Sequence, residues 1–118
     1  MDEDGPLLAA LGLALLQCVV GATVSLSTRR AADGRLARNA LVGIRTASTM
    51  RSDAAWRAGH AAAVPLADLG GTAFALGGLL ALVLRTTAFP AALLGGVLVG
   101  TVLLLAAARR AVRAAAAD

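Results

Sequence analysis

The residues able to do chemistry are gathered in one stretch, Asn39–His60, which reads NALVGIRTASTMRSDAAWRAGH. It holds the only tryptophan, the only histidine and three of the eleven arginines, in a chain otherwise dominated by Ala, Leu, Val and Gly. Its distinctive members are Asn39, Gly43, Arg45, Thr46, Thr49, Ser52, Trp56 and His60. Ser52 followed by Asp53 reads as a helix start, with a hydroxyl cap and an acid in the first turn. Trp56 and His60, four apart, then share one helix face, with Arg57 beside it. A guanidinium, an imidazole and several hydroxyls around a helix N-terminus would make an anion pocket. The local alternative is that Trp56 anchors the membrane interface, His60 bonds a neighbouring backbone group and Arg45 caps or pairs nearby. The residues alone leave both open.

Asp68 is the second place for chemistry. It lies eight residues past His60, about 12 Å further along a helix, inside an apolar run. A buried acid in such a run needs protein or water around it and a partner. The candidates are Arg45 folding inward, His60 through a water, or Gln17 and Thr23 of the first apolar stretch. A proton or ligand site and a structural pair are both compatible with this pattern. No phosphate loop, no His or Cys cluster with metal-ligand spacing and no nucleophile–base pair is present. No enzymatic activity, cofactor or metal is therefore expected. The lone Cys18 lies inside an apolar stretch and offers no disulfide framework.

The elements that must position these residues are membrane helices. The 118 residues are 58% hydrophobic, with mean hydropathy +0.78. Three stretches of about twenty residues, enough to cross a bilayer core of about 30 Å, are nearly free of charge: about 7–26, 61–84 and 88–108. Their helices would have almost no polar face, unlike those of a soluble domain. The expectation is an all-α membrane protein with three transmembrane helices, forming one three-span domain over 1–118. A cleaved signal peptide would want a basic start and a shorter apolar core; this chain opens Asp2-Glu3-Asp4, so a retained first helix is preferred. The helix beginning at Asp53 has no stop before Arg85. Its opening turns, Asp53–Ala63, should approach along the interface with Trp56 at headgroup depth, and Pro65 should kink it. Residues 31–38 form a turn at Asp33-Gly34 or a short interfacial helix, and 39–49 an ordered but irregular loop. Arg85-Thr86-Thr87 closes a tight hairpin, with Pro90 in the first turn of the third helix. Gly71 and Gly78, Gly70 and Gly77, and Gly96-x-x-x-Gly100 have the spacings of lipid-buried helix contacts.

Charge sets the expected orientation. The pI of 11.3 would suit nucleic acid, but position argues against direct nucleic-acid binding. Seven arginines (Arg29, Arg30, Arg35, Arg38, Arg45, Arg51, Arg57) lie between the first two spans and three (Arg109, Arg110, Arg113) follow the third, leaving Arg85 alone. Short arginine-rich loops stay cytoplasmic. The N-terminus is thus expected outside, and loop 27–60 and the C-terminus inside. Arg29, Arg30, Arg109, Arg110 and Arg113 would meet anionic lipid headgroups.

Asn39…Gly43-Ile44-Arg45-Thr46…Thr49…Ser52…Ala55-Trp56…His60, running straight into a membrane helix, resembles the signature of the SdpI family. These are bacterial membrane proteins named for an immunity protein against a secreted killing peptide; in the best-known member the protein also holds a transcriptional repressor at the membrane. Where family members commonly have a proline and an aromatic after the Arg-Thr pair, this chain has Ala47 and Ser48. The resemblance implies immunity or signalling against an antimicrobial peptide or envelope stress. Loop 39–60 would be the recognition element, and a toxin peptide or cytoplasmic regulator the partner. The alternatives from the residues are an oligomeric transporter or channel-like subunit coupled through Asp68 and assembled on the Gly96–Gly100 face, or a structural helper of a larger membrane complex.

Overall fold

In lipid every backbone polar group must find its partner within the protein, and a helix does this within a single segment. The apolar stretches accordingly fold as helices in the computed structural model, which describes residues 5–84 and 88–117. Helix α1 spans Gly5–Ala32, α2 spans Asp53–Leu84 and α3 spans Phe89–Ala117. A single 3₁₀ turn, Thr49–Arg51, precedes α2. No strand occurs among the described residues. All three helices are long and apolar enough to cross a membrane. The acidic Asp2-Glu3-Asp4 and the turn expected at 85–87, with Arg85, lie outside the described residues.

The molecule measures 56 × 21 × 20 Å, so its long axis exceeds a bilayer core of about 30 Å. The surplus is at one end. Helix α1 runs past the apolar stretch expected at about 7–26, through Arg29 and Arg30 to Ala32, and α3 continues through Arg109, Arg110 and Arg113. As expected, Asp53–Ala63 forms the first turns of one continuous α2 that includes Pro65.

Helix α2 is the centre. It packs on α1 along one side and α3 along the other, while α1 and α3 barely meet. The glycine pairs divide between these two faces. A Cβ on Gly71 or Gly78 would collide with the backbone of α1 at Gly21 and Ala14, and one on Gly70 or Gly77 would meet α3 at Gly100 and Gly96. Both contacts are antiparallel. The Gly96–Gly100 face, expected to serve assembly of copies, is buried against α2 within the chain.

The interior inverts that of a soluble protein. Its buried hydrophobic residues are alanines, apart from Trp56. Ala63, Ala67, Ala107 and Ala111 form the core cluster, with Val24, Ile44, Leu66 and Leu104 packed on it. Most of the leucines face outward along all three helices. Between lipid-bathed helices burial of leucine brings no hydrophobic gain, and small side chains win because they let backbones approach.

Candidate functional site

The connection from α1 to α2 begins with a chain reversal. The Asp33 amide donates to the Arg29 carbonyl at 3.0 Å and the Leu36 amide to that of Arg30 at 2.9 Å. Gly34 has φ +85°, and Asp33 Oδ1 accepts the Arg35 amide at 3.1 Å. Of the two readings of 31–38, the turn is the one formed; α1 supplies the helix up to Ala32.

The loop that follows is held by side chains. Asn39 Oδ1 accepts the amides of Leu41 and Val42 at 2.9 and 2.8 Å, and its Nδ2 donates to the carbonyls of Ala37 and Val42 at 2.8 and 3.1 Å. The Arg45 guanidinium donates to the Ala40 carbonyl. Thr49 Oγ1 donates to the Ile44 carbonyl at 2.6 Å and accepts the Thr46 amide at 2.9 Å; Thr46 Oγ1 in turn accepts the Thr49 amide at 3.2 Å. Side chains that bond nearby backbone in this way replace a regular ladder.

Helix α2 supplies the other half of the clasp. Ser52 Oγ accepts the Ala55 amide at 3.0 Å, the expected N-cap. Trp56, expected at headgroup depth as an interfacial anchor, is instead only 1% exposed. Its Nε1 donates to the Leu36 carbonyl at 2.9 Å. The loop folds back over the start of α2 and covers the ring, so the indole has no lipid to meet. His60 is fully buried, its ring centroid 4.2 Å from that of Trp56. The Ile44 amide donates to His60 Nε2 at 2.9 Å, and Nδ1 lies 2.7 Å from the Trp56 carbonyl. Nε2 is thus the acceptor and Nδ1 carries the proton, which describes a neutral ring.

Gly43 closes the clasp. Its φ is +109°, a backbone region costly to residues with a Cβ. A Cβ there would also sit 2.6 Å from Trp56 Cη2 and 3.0 Å from His60 Nε2. Arg38, by sequence only one among the loop arginines, ties the loop further: it donates to the Met50 carbonyl at 2.7 Å and pairs with Asp53 at 3.4 Å.

The structure therefore brings all eight motif residues into one assembly, held together from within. Thr46, Thr49, Ser52, Trp56 and His60 direct their polar atoms at backbone groups, and no buried side-chain polar atom is left unsatisfied among the described residues. Among the described residues no group of three His, Cys, Asp or Glu could hold a metal. Of the motif, only Arg45 is exposed.

Asp68 does not join this assembly. None of its expected partners reaches it. Its carboxylate pairs with the Arg29 guanidinium, Nε lying 3.2 Å from Oδ1, and accepts Ser25 Oγ at 2.9 Å. Ser25 and Arg29, spaced i, i+4, present one face of α1 to α2. That spacing is the only signal the sequence offers, and it does not by itself pick out Asp68; the packing of α1 on α2 makes Arg29 the partner of an acid. Gln17 instead donates to the Phe74 carbonyl at 3.1 Å.

Compared with known proteins, residues 35–108 match the SdpI/YfhL protein family, a span that begins just before the clasp and runs through the apolar part of α3. Neither curated proteins nor solved structures give a match.

Proposed function

The chain belongs to the SdpI/YfhL protein family, and from that membership and the clasp we propose that it is an immunity or signalling protein of a bacterial plasma membrane. It acts against an antimicrobial peptide or envelope stress, and loop 39–60 is its recognition element. The observation that carries this reading is the internal satisfaction of the clasp. Its motif side chains hold one fixed shape, which suits a surface that docks a partner and does not suit a centre of catalysis. By the positive-inside rule the loop faces the cytoplasm, together with the C-terminal arginines, and the partner is a toxin peptide within the membrane or a cytoplasmic regulator.

The transporter alternative requires a free Asp68 and a free Gly96–Gly100 face. Both are engaged within the chain, and no other observation favours it.

The test is survival of a peptide-sensitive bacterial strain with and without the gene, across a panel of secreted membrane-active peptides, combined with crosslinking from position 45. At least one peptide should need a several-fold higher inhibitory concentration when the gene is present. Equal survival throughout, with no partner crosslinked, rejects the reading.

A further inference from the structure

Among the described residues His60 is the one fully buried titratable side chain, and it fastens the loop to α2. The hydrogen bonds made through Asn39, Arg45, Thr46 and Thr49 stay within the connection between α1 and α2. Of the side-chain and backbone bonds of residues 39–47, only that from the Ile44 amide to His60 Nε2, at 2.9 Å, reaches α2. The loop is therefore shaped from within and tied down at one polar point. Gly43 lies beside that point, close against Trp56 and His60 Nε2.

The bond works in one protonation state only. Nδ1, 2.7 Å from the Trp56 carbonyl, holds the proton of the neutral ring, and Nε2 must accept. A second proton would make Nε2 a donor aimed at an N–H, replacing attraction with repulsion. No counterion offsets the added charge. The three described carboxylates, Asp33, Asp53 and Asp68, are paired with Arg35, Arg38 and Arg29. Trp56 of α2 and Gly43 and Ile44 of the loop face the ring, and none of them titrates. Burial holds His60 below its ordinary pKa of 6.5 against a smaller opposing effect of the Trp56 carbonyl, and no charged group of α1, α3 or the loop adds to either. His60 precedes the apolar stretch 61–84 and stands about 12 Å before Asp68 on α2. It is thus on the arginine-rich side of the Asp68–Arg29 pair, where water supplies protons whenever the loop lifts.

We propose that His60 is an acid-released latch: neutral, it fastens residues 39–47 to α2 through the Ile44 amide, and on gaining a proton it lets them go and uncovers Trp56. The sign follows from linkage. Above about pH 6.5 the ring is neutral whether the loop is shut or open, and the latch holds fully. As pH falls, the open ring takes a proton first, so the shut state loses ground until the buried ring is charged as well. The latch makes recognition responsive to acid if loop 39–60 is the recognition element, but the latch itself does not depend on that reading. Peptide survival and latch titration can therefore fail separately.

The test uses the full chain in lipid nanodiscs, with ¹⁵N-labelled histidine and backbone amides. Because His60 is the only histidine, its ring signals need no assignment. At about pH 7.5 they should show the Nδ1–H tautomer. Between about pH 7.5 and 5.5 the protection of the Ile44 amide against hydrogen exchange, corrected for intrinsic rate, should fall at least about threefold. The limit is about tenfold, set by an open ring of pKa about 6.5. The Leu98 amide in α3 should keep its protection throughout. His60→Gln, whose side-chain carbonyl can still accept the Ile44 amide, should lose the pH dependence. If that variant does not fold, the native chain decides alone, by whether ring protonation and loss of Ile44 protection share one midpoint. A doubly protonated ring beneath a protected Ile44 amide overturns the latch. So does Ile44 protection that is flat down to pH 5.5, that falls equally in His60→Gln, or that falls together with that of Leu98.

Discussion

The membrane helices and the clasp are held together by opposite means. The bundle coheres through what its residues lack: alanines and glycines remove side chains so that α2 can lie against α1 and α3. The clasp coheres through what its residues carry, each polar atom meeting a particular backbone group. The difference teaches where the molecule is fragile. A small-residue interface repeats the same contact along its length, so one position matters modestly. A clasp with one residue for each job fails at a single point.

Gly43→Val should have the largest effect, because strain at positive φ and collision with Trp56 act together. Backbone strain alone costs about 1–3 kcal/mol, and overpacking adds a similar amount. The variant should unfold at markedly lower denaturant, read from the single buried Trp56, and residues 33–48 should become open to protease. Near-native stability would break the comparison, for it would mean that the loop merely rests on α2.

In the bundle, Gly77→Ala tests the tightest kind of helix contact. Its Cβ would meet Gly96 Cα and Gln17 Nε2, each at 2.7 Å, and the overpacking should cost about 1–3 kcal/mol. Trp56 emission should keep its native wavelength while the unfolding midpoint falls. A loss as large as that of Gly43→Val would erase the distinction between repeated and single-point contacts.

Gly95→Ala should have the smallest effect and the opposite sign. Nothing lies within 4 Å of its added Cβ, and alanine is favoured over glycine in a helix by about 1 kcal/mol. A slight rise in the unfolding midpoint is expected. Destabilisation here would point to a packed partner on the outward face of α3.

The bundle is far more legible in the amino-acid sequence than the clasp, and the two modes of cohesion explain why. Hydropathy runs mark helices because lipid demands them, so the spans of α1, α2 and α3 follow from composition. Ser52 as a cap follows from local geometry, whereas Asp33-Gly34 gives a turn signal that leaves a short interfacial helix open, and only the structure selects the turn. Trp56 reads as an anchor, because an aromatic near an arginine-rich interface has that role unless a loop covers it. Asp68 invites the wrong partners because Arg29 already has a plausible role with headgroups, and only the packing of α1 on α2 selects between the two.

The sequence by itself determined three apolar helices, an arginine-rich end, and one polar stretch whose residues belong together. Those properties are local or additive, arising from hydrophobicity, capping and charge counted along the chain. Tertiary structure alone decided that the polar stretch closes on itself around Trp56 and His60, and that Asp68 turns to Arg29. Each depends on which surfaces meet across forty residues or a helix face, and no single-chain pattern encodes that distance.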